Sequence, residues 1–230
     1  METSRESMVI NGVAMQVVDV KSSCTRRHVR HDLSIDAYGL EQIPFKPGDT
    51  VVDIGANIGM ISIYLALKHP DIIVYAVEPV PQNYDNLVEN ISLNGVENVH
   101  VHGCAITGDG RDLPMIAHLE SNSGGATGFL SDMQLDGHIR FNARSRTLDT
   151  FFKLLDIDSC KLLKIDCEGA EYEILLNSSE ALQKIEYLSG EFHVNEHLTS
   201  MGYSPSALVT HCTKFIDRRK VSVYTQRMAE

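Results

Sequence analysis

A glycine-bearing turn beside an acidic residue is the part of the sequence best suited to ligand binding. The segment 51–59 reads as a buried strand that runs into a Gly-x-Asn-x-Gly turn and then into a helix. Glycine lets a backbone approach a ligand closely, and a helix N-terminus offers unpaired N–H groups. The spacing differs from the Gly-x-Gly-x-x-Gly of dinucleotide-binding turns, and an acid just before the first glycine would repel a pyrophosphate. We therefore expect the turn to bind a ligand without phosphate, through Asp53, Gly55, Asn57 and Gly59.

A second acid narrows the choice of ligand. Glu78 ends the next predicted strand, Ile72 to Val77, and lies 19 residues after Gly59. A carboxylate in that place can accept hydrogen bonds from both hydroxyls of a ribose, and Asp53 could bind an ammonium group. A ligand with a ribose, a cationic amino acid end and no phosphate is S-adenosylmethionine. Two alternatives stay open, namely an NAD-type oxidoreductase and a nucleoside-binding module without turnover.

Three further side chains at strand ends are candidates for catalysis. Ligands of doubly wound sheets bind beyond the carboxyl ends of the strands. Asp166 follows the predicted strand Leu162 to Ile165, and Glu191 and His193 end the predicted strand that begins at Ile185. Transfer of a methyl group to a hydroxyl needs a base, and histidine has the side-chain pKa nearest neutrality. We therefore predict that Asp166, Glu191 and His193 are catalytic, with Glu191 supporting the imidazole and Asp166 also facing the cofactor.

The same strand ends suggest contacts that are less specific. Cys104 and Ala105 follow the third predicted strand and are placed to touch an adenine. A divalent cation held by Asp166 and Glu191, with Glu168 or His193, is the rival to a general base. It is not the favoured interpretation, so no metal ligands are assigned.

Two neighbouring residues are interpreted without a functional role. Glu171 is an acid in a first helical turn, where it complements the helix macrodipole. His197 follows His193 at helical spacing and is interpreted as incidental.

The elements that must position these residues alternate between strand and helix from Asp49 onward. That alternation predicts an α/β fold with a doubly wound, mostly parallel sheet. The tail, Lys214 to Gln226, predicts two more strands, whose antiparallel pairing would complete a seven-stranded sheet. Near the amino terminus, Asn11-Gly12 between apolar runs predicts a β-hairpin at residues 7–20. We divide the chain into residues 1–48, a hairpin and connector, and residues 49–230, the sheet domain.

Three segments have more ambiguous patterns. The basic stretch Lys21 to His31 suggests a solvated connector, or a clamp on an anionic or sugar-bearing substrate. The Gly- and Asn-rich region Thr107 to Thr147 suggests irregular hairpins, in which Asn122 to Gly125 could form a lid. Tyr38 is expected to pack over the site.

Several of these motifs occur together in a known family. The segments VVDIGANIGMISIYLA, YAVEP, LVENISLNGVENV, TLDTFF, LLKIDCEGAEYEIL and EFH, from Asp49 to His193, resemble FkbM-type S-adenosylmethionine-dependent methyltransferases. The resemblance implies a class I methyltransferase (Rossmann-like) sheet and O-methylation of a hydroxyl on a sugar or another small molecule. It also supports the contacts of Cys104 and Ala105. The similarity weakens after His193, so it says less about the substrate.

The composition narrows the possible partners. The 230 residues carry 20 Lys+Arg against 31 Asp+Glu, a net charge of -11, which disfavours binding to a nucleic acid backbone. Five scattered cysteines indicate neither a disulfide framework nor a zinc site. We find no signal peptide and no apolar run long enough to span a membrane, so we expect a cytoplasmic protein without membrane contact. The hairpin is a plausible homodimer edge.

Overall fold

The computed structural model describes residues 2–118 and 138–227. Its strands are β1 Thr3–Ile10, β2 Val13–Val20, β3 Thr50–Ile54, β4 Ile73–Val77, β5 Val99–His102, β6 Ala105–Ile106, β7 Leu113–His118, β8 His138–Ala143, β9 Ser145–Arg146, β10 Cys160–Ile165, β11 Ile185–Val194 and β12 Val221–Arg227. Its helices are α1 Thr25–Ser34, α2 Met60–Lys68, α3 Pro81–Asn94, α4 Leu148–Leu154, α5 Glu171–Leu176, α6 Ser179–Leu182, α7 Glu196–Ser200 and α8 Pro205–Cys212.

The central sheet has the order β12-β11-β10-β3-β4-β5, and every neighbouring pair is parallel. After β3 the chain adds β4 and then β5 on one side of β3. It then returns and forms β10 on the opposite side of β3. This reversal leaves a crevice beyond the carboxyl ends of β3 and β10, where ligands of doubly wound sheets bind. The predicted fold class is confirmed, although six strands form this sheet in the part of the chain that the structure describes.

The carboxyl-terminal segment differs from its prediction. The antiparallel pair expected at Lys214 to Gln226 is wrong, because only β12 forms there and it runs parallel to β11. After α8 the chain turns tightly, with the N–H groups of Phe215 and Ile216 both donating to the Cys212 carbonyl at 3.0 Å. Ile216 is buried in the core. Its apolar character therefore reflects packing at a helix end, which a local pattern does not distinguish from a strand.

Helices cover both faces of the sheet, so alternate strand residues enter two separate cores. On β10, Leu162 packs into the core beneath α2 and α3, whereas Leu163 packs with Phe151 of α4 and Leu208 of α8. Burial on both faces explains why β10 is apolar apart from its two lysines.

The predicted amino-terminal hairpin forms, beginning at Thr3, and Asn90 and Asn94 of α3 bond to the backbone of its second strand. Asn11 and Gly12 both have positive φ, 47° and 83°, as a type I′ turn requires. On α3, Asn90 pairs with both backbone polar groups of Val18, at 2.6 and 3.0 Å, and also donates to the Ile58 carbonyl at 2.9 Å. These bonds satisfy the outer edge of β2 with side-chain amides instead of another strand.

The basic stretch after the hairpin forms helix α1, which the sequence analysis did not predict. Thr25 and Leu33 are buried and Val29 packs against the core between them, which gives one apolar contact per turn. The Arg26 guanidinium donates to the Ser4 carbonyl and hydroxyl, both at 2.8 Å, and holds α1 against β1. Side chains of α1 also line the crevice.

The two glycines of the predicted ligand turn are required by packing. Gly55 has a φ of 77°, and a Cβ at this position would lie 1.9 Å from the Asp166 carbonyl oxygen. Gly59 has a φ of 85°, and its Cβ would lie 2.1 Å from Leu87 Cδ1 of α3. The missing side chains thus let β3 approach β10 and let α2 approach α3, instead of making room for a ligand.

The described helices, in residues 2–118 and 138–227, all fall short of the length and apolar composition that a membrane span needs.

We expect Asn90→Ala to lower the free energy of unfolding by about 2–4 kcal/mol, because it leaves buried backbone groups of β2 and of the turn after β3 without partners. Chemical denaturation measures this change. The exposed neighbour Glu89 provides the control, Glu89→Ala, which should cost less than about 0.5 kcal/mol. A similar small cost for both variants would show that the hairpin does not depend on Asn90.

We expect Gly55→Ala to lower the free energy of unfolding by about 3 kcal/mol or more, because it combines backbone strain with a clash against a backbone carbonyl. Gly48 is the matched control, since it has a φ of 82° and no described atom within 4 Å of its Cβ position. Gly48→Ala should cost only about 1 kcal/mol. Equal costs in denaturation experiments would contradict the close approach of β3 and β10.

Candidate functional site

A cavity of about 700 Å³ occupies the crevice at the carboxyl ends of the parallel strands. It brings together most of the side chains that the sequence predicted. The predicted site residues that line it are Gly55, Asn57, Glu78, Cys104, Ala105, Asp166, Glu191 and His193. Tyr38 also lines the cavity, as expected, whereas Asp53 and Gly59 do not. The proposed lid, Asn122 to Gly125, lies outside the described residues.

In the turn after β3, residues 55–59, every backbone N–H group donates a hydrogen bond within the protein. The N–H groups of Gly55 and Ala56 both donate to the Val77 carbonyl at 3.0 Å, and that of Gly59 donates to Ala56 at 2.8 Å. The remaining two N–H groups, of Asn57 and Ile58, donate at 2.8 Å to carboxylate and amide oxygens. Pyrophosphate seats depend on free N–H groups at this turn. The expected unpaired donors are therefore absent from residues 55–59, and the turn cannot hold a phosphate as dinucleotide-binding turns do.

Glu78 lies at the carboxyl end of β4 and borders the same turn. Its two oxygens accept from the backbone N–H groups of Asn57, at 2.8 Å, and Val80, at 2.9 Å. Burial raises the pKa of Glu78 to about 7, although these two bonds and the nearby Lys164 and Asn83 favour the charged form. The backbone bonds hold the carboxylate in one orientation beside the cavity.

Asp53 supports the site from below the cavity. Its carboxylate is fully buried and accepts from the Ser62 hydroxyl at 2.6 Å. Its other oxygen lies 3.2 Å from the ammonium of Lys164, which also donates to the Gly55 carbonyl at 3.1 Å. Burial alone would lower the pKa of Lys164, but Asp53 and Asp166 outweigh it and raise that pKa. Asp53 therefore fixes the lysine that ties β10 to the turn, and it does not face the cavity.

Several carboxylates surround His193, which is 1% exposed. The imidazole Nε2 lies 3.5 Å from Glu168 Oε2, 3.8 Å from Glu191 Oε1 and 4.0 Å from Asp166 Oδ1. We call His193 and these three carboxylates the acidic cluster. The sequence predicted three of its four members to be catalytic, and the structure places them within reach of one another.

The partner that orients His193 is Glu171, which the sequence analysis assigned to the helix macrodipole. His193 Nδ1 lies 2.9 Å from Glu171 Oε1. The same fully buried carboxylate accepts from the N–H groups of Cys167, at 2.7 Å, and Gly169, at 3.0 Å. Glu191, expected to support the imidazole, lies farther from it and instead accepts from the Tyr224 hydroxyl at 2.7 Å. Glu171 of α5 and His193 of β11 are 22 residues apart in the sequence, so no local sequence pattern predicts their contact.

The electrostatics of the acidic cluster follow from burial and from the crowding of charges. Burial raises the pKa of Glu168 to about 8 and also raises that of Glu191, and the nearby carboxylates add to both shifts. Burial lowers the pKa of His193, but Glu171, Glu168 and Asp166 outweigh it and raise it to about 9. Without another cation, His193 is therefore mainly an imidazolium at neutral pH and is poorly suited to accept a proton. Glu168 also has a φ of 54°, a strained backbone conformation of the kind found at functional sites.

Two further elements close the cavity over the acidic cluster. The Tyr38 hydroxyl donates to Asp166 Oδ2 at 3.2 Å, and its ring contacts Tyr224 of β12 edge-on. Helix α1 adds a basic rim, whose side chains Arg27, His28 and His31 line the cavity and are exposed. His197 is also exposed but does not line the cavity.

Comparison with known proteins identifies several relatives that are methyltransferases. Methyltransferase 1 from Beauveria bassiana (strain ARSEF 2860) is 26% identical over 149 residues, which cover 57% of this chain and 59% of that protein. Methyltransferase sdnD from Sordaria araneosa is 27% identical over 172 residues, covering 62% of this chain and 64% of that protein. The 31-O-demethyl-FK506 methyltransferase FkbM from Streptomyces tacrolimicus is 38% identical over 65 residues, covering 28% and 25%. The chain thus matches less than two thirds of the length of each relative.

A family model gives the assignment that these partial alignments support. The methyltransferase FkbM domain matches residues 53–205, which is more than half of the chain. The matched range begins near the end of β3 and extends past the acidic cluster, so it contains the strand ends that form the cavity. The chain belongs to the methyltransferase FkbM domain family.

Proposed function

We propose that this protein is an S-adenosylmethionine-dependent methyltransferase that methylates a hydroxyl oxygen of a small-molecule or sugar acceptor. One observation carries the proposal. The turn after β3 has no free N–H group, and the buried carboxylate of Glu78 lines the same cavity as that turn. This combination suits a nucleoside without phosphate. The same observation disfavours the NAD-type oxidoreductase, which needs a pyrophosphate seat.

The residues present fit S-adenosylmethionine along the length of the cavity. Glu78 is placed to accept hydrogen bonds from the two ribose hydroxyls. Cys104 and Ala105, which follow β5, offer a mainly apolar wall for the adenine. Gly55 and Asn57 of the turn line the same cavity as this wall and the acidic cluster. Asp53 contributes indirectly, through the buried lysine beneath the turn.

The acidic cluster is the place where chemistry would occur. S-adenosylmethionine supplies, when bound, a methyl group on a positively charged sulfonium that is a good leaving group. The carboxylates of Asp166 and Glu191 stabilise positive charge in the cavity and can accept the proton of an acceptor hydroxyl. His193 holds these carboxylates together. Alignment of the hydroxyl against the cofactor would supply the larger part of the rate enhancement.

Two observations support an oxygen acceptor of small size. The name of the Streptomyces tacrolimicus relative specifies an O-demethyl substrate. Helix α1 and Tyr38 border the cavity, and a bordered cavity suits a compact acceptor better than a nucleic acid duplex. Labelled-cofactor assays with alcohols, sugars and RNA distinguish these acceptors, and labelling of RNA alone would contradict this part of the proposal.

We expect Glu78→Ala to weaken binding of S-adenosylhomocysteine at least tenfold in calorimetric titration, because a charged hydrogen-bonding group is lost. In the wild type, affinity should rise from pH 6 to pH 8, because the pKa of Glu78 is raised to about 7 and its carboxylate becomes the main form over this range. The variant should lose that pH dependence.

The control is Asp85→Asn, which removes an exposed acid from α3 and should leave both affinity and pH dependence unchanged. Wild-type protein that does not bind S-adenosylhomocysteine would refute the proposed cofactor. Glu78→Ala protein with wild-type affinity would refute the assigned ribose contact. Binding without transfer to any acceptor would favour the nucleoside-binding module.

A further inference from the structure

The basic side chains of α1 fall on two faces of the helix that have different surroundings. Arg26 and Arg30 lie 3.9 and 3.6 Å from the carboxylate oxygens of Glu6 on β1. Arg27 and His31 belong to the basic rim and line the cavity instead. Because residues four apart share one face of a helix, the acid on β1 pairs with one basic face and leaves the other to the cavity.

The other basic side chains that line the cavity have acidic partners within the protein. These pairs, at 2.9, 3.2 and 2.9 Å, are Arg111–Glu173, Lys164–Asp53 and His193–Glu171. In the basic rim, by contrast, Arg27 only approaches His28, whose Nε2 lies 3.4 Å from its Nη2. Among residues 2–118 and 138–227, no carboxylate lies within ion-pair distance of the basic rim. The charge of Arg27 is therefore available to a ligand in the cavity.

The basic rim lies on the side of the cavity that holds the acidic cluster. Asp32, next to His31, lines the cavity, and its backbone carbonyl accepts from the Ala37 N–H at 2.9 Å. The residue after Ala37 is Tyr38, whose hydroxyl donates to Asp166. Burial raises the pKa of Asp32, the two histidines of the rim lower it, and the nearby Asp166 raises it further. An acceptor whose hydroxyl lies at the acidic cluster therefore has the basic rim beside it.

We propose that the methyl acceptor carries a carboxylate group, which Arg27, His28 and His31 bind while its hydroxyl lies at the acidic cluster. This inference rests on the proposed function, because it concerns the acceptor in the same cavity. A guanidinium binds a carboxylate through two parallel N–H···O bonds. Each imidazole offers at least one N–H donor, whether neutral or charged. The sequence analysis left such a clamp as one of two interpretations of this basic stretch.

The charges of the cavity favour a carboxylate over a phosphate ester. Arg27 supplies one permanent positive charge, whereas the acids Asp32, Asp166 and Glu191 line the same cavity and repel anions. A phosphate ester carries about 1.5 to 2 negative charges at pH 7, so this repulsion is larger for it than for a carboxylate. The repulsion also keeps the carboxylate at the basic rim and leaves the uncharged hydroxyl for the acidic cluster, which fixes the direction in which the acceptor binds.

NMR titration of the full chain, with and without S-adenosylhomocysteine, tests the carboxylate subsite through the side-chain signals of Arg27, His28 and His31. The probes are glucuronate, glucose and glucose 6-phosphate, which share their ring hydroxyls and differ in the group on the carbon outside the ring. We expect glucuronate to shift these signals saturably and glucose to leave them unchanged. Glucose 6-phosphate should bind more weakly than glucuronate, because the acids of the cavity repel its larger charge.

Arg27→Gln should weaken glucuronate binding at least about tenfold, because the hydrogen bonds to a charged group are lost. Arg30→Gln is the matched control. It removes the same charge from the same helix, but on the face beside Glu6, and it should change the affinity by less than about twofold. Thermal unfolding shows whether each variant is folded.

The carboxylate subsite would be overturned by equal binding of glucuronate and glucose, by the absence of a saturable shift at the basic rim, or by equal losses in the two variants. Tighter binding of glucose 6-phosphate would overturn the choice of a carboxylate. Calorimetric titration of S-adenosylhomocysteine into the same wild-type sample separates the two proposals. Cofactor binding without glucuronate binding overturns only the carboxylate subsite, whereas glucuronate binding at the basic rim without cofactor binding overturns only the proposed function.

Discussion

The site depends on one steric constraint, the seating of the Asp166 carbonyl against the backbone of Gly55. A side chain at residue 55 would occupy the space of that carbonyl. Its absence lets the ends of β3 and β10 pack together, with the Asp166 N–H donating to the Ile54 carbonyl at 3.1 Å. This contact directs the chain after β10 across the crevice. The turn after β3 and the acidic cluster therefore line one cavity, because the ends of β3 and β10 are in contact.

Much of the site could be predicted because the carboxyl ends of parallel strands share an edge of the sheet. Glu78, Asp166, Glu191 and His193 each follow or end a buried apolar run, so their convergence required only the correct topology. The roles of Asp53 and Glu171 could not be predicted in this way. Their partners, Lys164 and His193, come from other elements. Local sequence gives the residue type but not the contact across the fold.

Errors at the two ends of the chain have a different physical origin. Helix α1 buries one residue per turn, at Thr25, Val29 and Leu33, because its other side faces the crevice. Because the residues between these positions are mostly charged, so narrow an apolar face gives no recognisable helical pattern in the sequence. At the carboxyl end, β12 is parallel to β11 because the connection through α8 returns the chain to the end of the sheet where β11 began. Apolar periodicity predicts a strand there, but it does not encode the strand's direction.

The central claim is that this cavity binds S-adenosylmethionine with its transferable methyl group beside the acidic cluster. A crystal structure of the protein with S-adenosylhomocysteine tests that claim most directly. We expect both ribose hydroxyls on Glu78, the adenine beside Cys104 and Ala105, and the sulfur facing Asp166. Electron density for the ligand outside the cavity, or with its ribose away from Glu78, would contradict it.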